Sequence, residues 1–150
     1  AFALAGEMHA LNAARRIVNA LDGMPLVIPP TLRPTYHAAA VMASNYVIAL
    51  LAVAARLLED ASVDSGKVLP ALLPLVRGTL DNLEHLGVAA ALTGPIARGD
   101  ADTIRLHLAR LSAEDRALYC RLGLELLRLA RQTGLDERRA AEIDFLLASG

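Results

Sequence analysis

The sequence predicts a mainly α-helical domain, a multi-helix bundle, preceded by a helix and a short strand of α/β character. Three observations predict it. Of 150 residues, 55% are hydrophobic but only 3% aromatic, with no Trp. A core of that composition is built from Leu, Ala, Val and Ile, as in packed helices. After Pro30, apolar residues recur at helical spacing almost to the C-terminal end. Before it, the short run 24–28, closed by Pro29 and Pro30, reads as one strand.

The elements follow in order. In 7–21, Met8, Leu11, Ala14, Ile17, Val18 and Leu21 fall at helical spacing, with Gly23 as a stop. A helix followed by a lone strand cannot make a sheet, so the strand is expected to pair with an upstream sheet or another chain. The domain boundary falls near 29–33, giving an α/β tail over 1–30 and a helical domain over 31–150. Pro34 suits the first turn of a long second helix ending near 61, before a break at 64–66. Its stretch 37–55 has no formally charged residue over 19 positions and meets the length criterion for a membrane span. His37, Ser44 and Asn45, an alanine-rich composition, and flanks without clustered Lys/Arg or aromatic belts favour a central buried helix instead. A third helix is expected over 67–86, with Pro70 and Pro74 near its start or kinking it and Gly87 near its end. Asp100 then caps a fourth helix to about 111, Ser112 with Asp115 starts a fifth ending at Gly134, and Asp136 caps a sixth through Leu147.

Fifteen basic and 16 acidic residues are interspersed, for a net charge of -1. No field is available to neutralise a row of phosphates, which argues against a nucleic-acid partner. A single cysteine, Cys120, cannot form an internal disulfide, and no Cys/His cluster has metal-ligand spacing. The expectation is a reducing cytoplasm, no metal, and Cys120 as a small buried hydrophobe. Residues 1–6 lack the basic start and apolar run of a signal peptide, and the absence of Met at position 1 reads as a processed or excised piece.

Polar groups inside the apolar helical stretches carry the functional reading. Helical rotation puts Ser44 about 20° in azimuth from His37 and roughly 10 Å along the axis, with Asn45 about 80° away, so all three can face one cleft. A histidine can act as general acid or base near neutral pH, and Ser and Asn can orient a carbonyl, a carboxylate or an amide. The alternative is structural: such residues also satisfy neighbouring backbone or each other. In 92–100, Gly94 permits close backbone approach, Pro95 stiffens the turn, Thr93 offers a hydroxyl, and Arg98 can grip a carboxylate or phosphate in two-pronged fashion. Asp100 reads first as a helix cap. Arg77, Thr79 and Asn82 read equally as a solvated face, while Gly78 beside them allows close helix or ligand approach. His9, His85 and His107 lack partners at metal-ligand spacing and read as surface or interface residues, and Tyr36 and Tyr46 read as packing residues with a wet hydroxyl.

The order of Tyr36-His37-Ala38-Ala39-Ala40, Ser44-Asn45, Gly78-Thr79-Leu80, Asn82-Leu83 and Thr93-Gly94-Pro95 followed by Arg98-Gly99-Asp100 resembles the helical C-terminal domain of NAD(P)-dependent reductases. These belong to the 6-phosphogluconate dehydrogenase C-terminal-like superfamily, which includes relatives of ketopantoate reductase and pyrroline-carboxylate reductase. The resemblance implies an N-terminal Rossmann domain that binds NADP or NAD, closed over by a helical domain that supplies substrate contacts and makes a homodimer. It implies that His37, Ser44 and Asn45 face the nicotinamide and the substrate carbonyl, with Thr93, Gly94, Pro95 and Arg98 nearby. The ketopantoate and hydroxyacid relatives use a helix Lys as proton donor; no Lys lies on this second helix, which leaves His37 as the candidate. The sequence departs from the pattern in lacking a Gly-x-Gly-x-x-Gly turn after a strand, so these 150 residues are not expected to bind the cofactor tightly by themselves. The rival reading is a non-catalytic helical association module.

Overall fold

The computed structural model describes residues 1–149 and is mainly α-helical, with one short two-stranded sheet. It forms two compact units, residues 1–54 and the residues from Ala55 onward.

The first unit opens with β1 (Phe2–Leu4), α1 (Met8–Ala20) and β2 (Pro25–Val27). The strands are parallel, in register Phe2 to Pro25, Ala3 to Leu26 and Leu4 to Val27. Parallel pairing needs a long crossover, and α1 provides it. The strand expected to be alone therefore has a partner in its own chain. Three residues, Phe-Ala-Leu, are too few to show a strand period, which is why the partner was not legible. Amides at both ends extend the ladder, from Phe2 to the Met24 carbonyl and from Ile28 to the Leu4 carbonyl, each at 2.8 Å. Gly23 has a role other than stopping the helix. Asp22, at φ 51°, makes the left-handed turn, whereas a Cβ on Gly23 would lie 2.6 Å from the Phe2 ring. Only glycine lets the chain pass that close to β1.

A 3-10 turn (Pro30–Leu32) leads into α2 (Arg33–Asp60), 28 residues long. Its sequence was expected to be buried, but none of its residues is: Met42 is 62% exposed, Tyr46 55% and Ile48 69%. The described residues do not cover this helix. The segment Pro30–Asp60 is also long and apolar enough to cross a membrane.

The second unit holds α3 (Ser65–Ala90), α4 (Gly94–Arg98), α5 (Ala101–Leu108), α6 (Ala113–Gln132) and α7 (Glu137–Ala148). The Asp64 carboxylate accepts from the Gly66 amide at the start of α3, and the helix carries Pro70 and Pro74 inside it. It breaks at Gly87, whose φ of 76° and ψ of 172° are not helical, and resumes to Ala90. The regular helix thus breaks at Gly87, near its expected end, and the stretch after it, left open by the sequence, continues as a further helical turn.

The core lies among α4 to α7: Ile104, Ala130, Ala140 and Ile143 are fully buried, with Leu127 and Leu147 nearly so. Gly123 sets the spacing of α6 and α7, since a Cβ there would fall 2.9 Å from a Leu147 methyl. Capping follows the sequence. Asp100 accepts from the Thr103 amide, Ser112 from the Asp115 amide and Asp136 from the Arg139 amide. Such caps satisfy amides that the helix itself leaves open.

One ion pair ties the last turn of α2 to this bundle. Arg56 grips Asp115 with both guanidinium branches, one at 3.0 Å, and Ser112 Oγ donates to the same carboxylate at 2.7 Å. The Asp115 side chain is only 4% exposed, whereas Arg56 is half-exposed. The Arg56 hydrogen bonds, followed by the one from Ser112, hold the Asp115 carboxyl below the ordinary carboxylate range.

Two predictions follow from this packing. Ile143→Ala removes a fully buried side chain and is expected to cost about 2–5 kcal/mol in urea unfolding, while Phe145→Ala, 72% exposed on the same helix, should stay within about 0.5 kcal/mol. Folding favours ionised Asp115, so its contribution is present at neutral pH and disappears as pH falls through and below about 4. Asp115→Asn is therefore expected to be less stable than the parent at pH 7, with the gap in urea midpoints narrowing towards pH 3. An unchanged gap would contradict the assignment.

Candidate functional site

The residues singled out by sequence fall into two groups, one in each compact unit. His37 stands in the first turn of α2, exposed and without a side-chain hydrogen bond among the described residues. Ser44 and Asn45 are exposed about two turns further on and are brought together. Ser44 Oγ donates to its own helix at the Ala40 carbonyl (2.7 Å) and lies 3.2 Å from Asn45 Oδ1. A hydroxyl has one proton, so the backbone carbonyl and the amide oxygen compete for it. Ser44 can still accept a hydrogen bond, and the Asn45 amide nitrogen remains a donor.

The second group forms a short helix where a turn was expected. Thr93 occupies the N-cap position in extended conformation, but its side chain makes no capping bond. Pro95 sits in the first turn, where its fixed φ and missing N–H are tolerated. Gly94 has φ 90°, and a Cβ there would meet nothing within 4 Å, so its conformation rather than close approach requires glycine. Gly99 ends α4 in the left-handed region at φ 68°, with the Asp100 amide reaching back to the Pro95 carbonyl at 2.9 Å. The Arg98 guanidinium is largely exposed and stands 3.8 Å from Asp100. Asp100 is held below the ordinary carboxylate range, first by the Thr103 hydroxyl at 2.7 Å and next by the Thr103 amide. It is a helix cap, as read. Arg98 thus presents an exposed cation on a fixed backbone, and Arg139 donates to its carbonyl at 3.2 Å.

Other expectations changed. A Cβ on Gly78 would meet nothing within 4 Å, so no described helix of this chain approaches it closely, and Thr79 bonds to its own helix at the Leu75 carbonyl. His107 is exposed, as expected of a surface residue, and meets Tyr119. Its Nδ1 lies 2.9 Å from the Tyr119 hydroxyl, and the rings meet edge to face at 5.8 Å. Cys120 is buried as expected, and burial pushes its thiol up from the ordinary value. The sequence reading missed Arg56 and the Arg105–Glu142 pair. Their partners are 59 and 37 residues away, and no local spacing signals such contacts. No group of three metal-ligating side chains occurs among the described residues.

Comparison with known proteins places these features in a family. A crystal structure of protein TM1727 from Thermotoga maritima aligns with a TM-score of 0.76 at 29% identity, covering 88% of this chain and 53% of that one. The chain thus spans about half the length of that neighbour. No curated protein matches it. Residues 1–126 match the family described as a domain of unknown function, DUF2520. The chain, with its short parallel sheet, its long apolar helix and its small-helix bundle, belongs to the DUF2520 family.

Proposed function

We propose that this chain is the helical substrate and dimerisation part of a cytoplasmic NAD(P)-dependent reductase of the 6-phosphogluconate dehydrogenase C-terminal-like type, acting on a small oxo-acid or imine. The observation that carries the reading is the β1-α1-β2 unit, a parallel pair joined by a crossover helix and running directly into α2. A parallel βαβ unit is the building block of doubly wound nucleotide-binding sheets, and such sheets are normally larger than two strands. The length of the Thermotoga maritima neighbour, of which this chain covers about half, fits a parent protein with room for that sheet.

In this reading the cofactor, NADP or NAD, is held by the sheet-forming domain of the parent protein. In the first unit, His37 supplies a proton to the substrate oxygen or nitrogen and Ser44 and Asn45 orient the reacting group; in the second, the Thr93-Gly94-Pro95 element presents Arg98 to an anionic group. His37 is suited to the task because its imidazole is exposed and makes no side-chain hydrogen bond among the described residues, and an imidazole can both take up and release a proton. The dimer is formed across α2 by a second copy of the chain.

The test is made in the intact parent protein, with NADH and NADPH and a panel of small 2-oxo acids and cyclic imines. His37→Ala is expected to lower kcat by about 10²–10⁴, the range for loss of a general acid, with thermal unfolding unchanged. Arg98→Ala is expected to raise KM for anionic substrates. Failure of the intact protein to bind either nicotinamide cofactor would overturn the reading. Loss of folding in His37→Ala in step with loss of turnover would favour a purely structural role.

A further inference from the structure

A second candidate site lies wholly within the second unit, apart from every residue named above as catalytic. The last turn of α2, the C-terminal end of α5 and the first turns of α6 enclose a cleft of about 940 Å³. That is within the range of small-molecule sites, about 300–1,000 Å³. Its walls are mostly apolar, built from Leu57, Ala61, Leu106, Leu111 and the half-buried Tyr119 ring. Leu106 is 69% exposed, so apolar surface faces this cleft without cover from the described residues.

The charges around the cleft are not equivalent. Arg56 is spent on Asp115, and Asp60 adds to its neutralisation. On the α5–α6 side, Arg110 lines the same cleft and forms no ion pair or side-chain hydrogen bond among the described residues. His107, three positions before it, lines the same cleft, and its Nδ1 meets the Tyr119 hydroxyl. Burial raises the Tyr119 pKa and keeps the phenol protonated. When that hydroxyl donates to Nδ1, the imidazole proton resides on Nε2, which is then the donor facing a ligand.

We propose that this cleft binds a small organic carboxylate with an apolar body. Arg110 grips the carboxylate in two-pronged fashion, His107 Nε2 adds a hydrogen bond, and the hydrocarbon lies against Leu57, Leu106 and Leu111. The Arg56–Asp115 pair forms the opposite wall and holds it in place without competing for the anion. The proposal is independent of the reductase reading, since it uses none of its residues and requires no cofactor.

The test is two-dimensional NMR titration of the protein with 4-methylpentanoate, with 4-methylpentanamide as the neutral isostere. The carboxylate is expected to give saturable shifts confined to the amides of residues 56–61 and 106–119, with the amide binding at least tenfold more weakly. Arg110→Gln keeps most of the exposed stem and should fold normally while weakening the carboxylate at least tenfold, and Arg110→Lys should restore part of it. Equal affinity for acid and amide, shifts scattered over other helices, unchanged binding in Arg110→Gln, or no saturable shift up to solubility would each overturn the proposal.

Discussion

A 28-residue helix with no buried residue sets the terms for the rest of this molecule. Met42, Tyr46 and Ile48 each expose more than half of their surface on α2, and burying one side chain of this class stabilises by about 1.5–3 kcal/mol. Three of them together rival the whole stability of a small domain, about 5–15 kcal/mol. An exposed apolar surface of that value favours cover by further protein surface or by a lipid phase, and Ser44, Asn45 and His37 on the same helix weigh against lipid. The proposed dimer across α2 answers this constraint and keeps the polar trio at an interface, where polar groups can meet a ligand.

The second unit solves a different problem, that of packing short helices without aromatic bulk. Gly123 lets α6 and α7 approach, Gly99 reverses the chain after α4, and four carboxylate or hydroxyl groups close helix starts that would otherwise leave amides open. The Arg56–Asp115 pair uses one of these caps twice. Ser112 accepts from the Asp115 amide and donates to the Asp115 carboxylate, so the residue that starts α6 is also the one that receives α2. A buried carboxylate is tolerated there because both Arg56 branches and the Ser112 hydroxyl donate to it.

Helix positions in this chain were legible because they are written locally. Asp100, Ser112 and Asp136 announced their helices, and the apolar spacing of α1 and the length of α2 were correct within a few residues. The mainly helical class followed from composition. What was not legible depended on distance along the chain. β1 is three residues with no period of its own, and the partners of Asp115, Glu142 and His107 lie 12 to 59 positions away. The burial of α2 was misread for a related reason: apolar sequence reports that a surface must be covered, not which chain covers it. Of the residues singled out from sequence, His37 and Arg98 are exposed, and Gly94 and Gly78 border open space rather than another part of the described chain.

Sedimentation equilibrium of the protein in detergent-free buffer at micromolar concentration tests the central claim about α2 most directly. The account predicts twice the monomer mass, reverting to the monomer when Ile48, 69% exposed on α2, is replaced by Lys. A monomer at every concentration, or a protein that stays dispersed only when detergent is added, would contradict it.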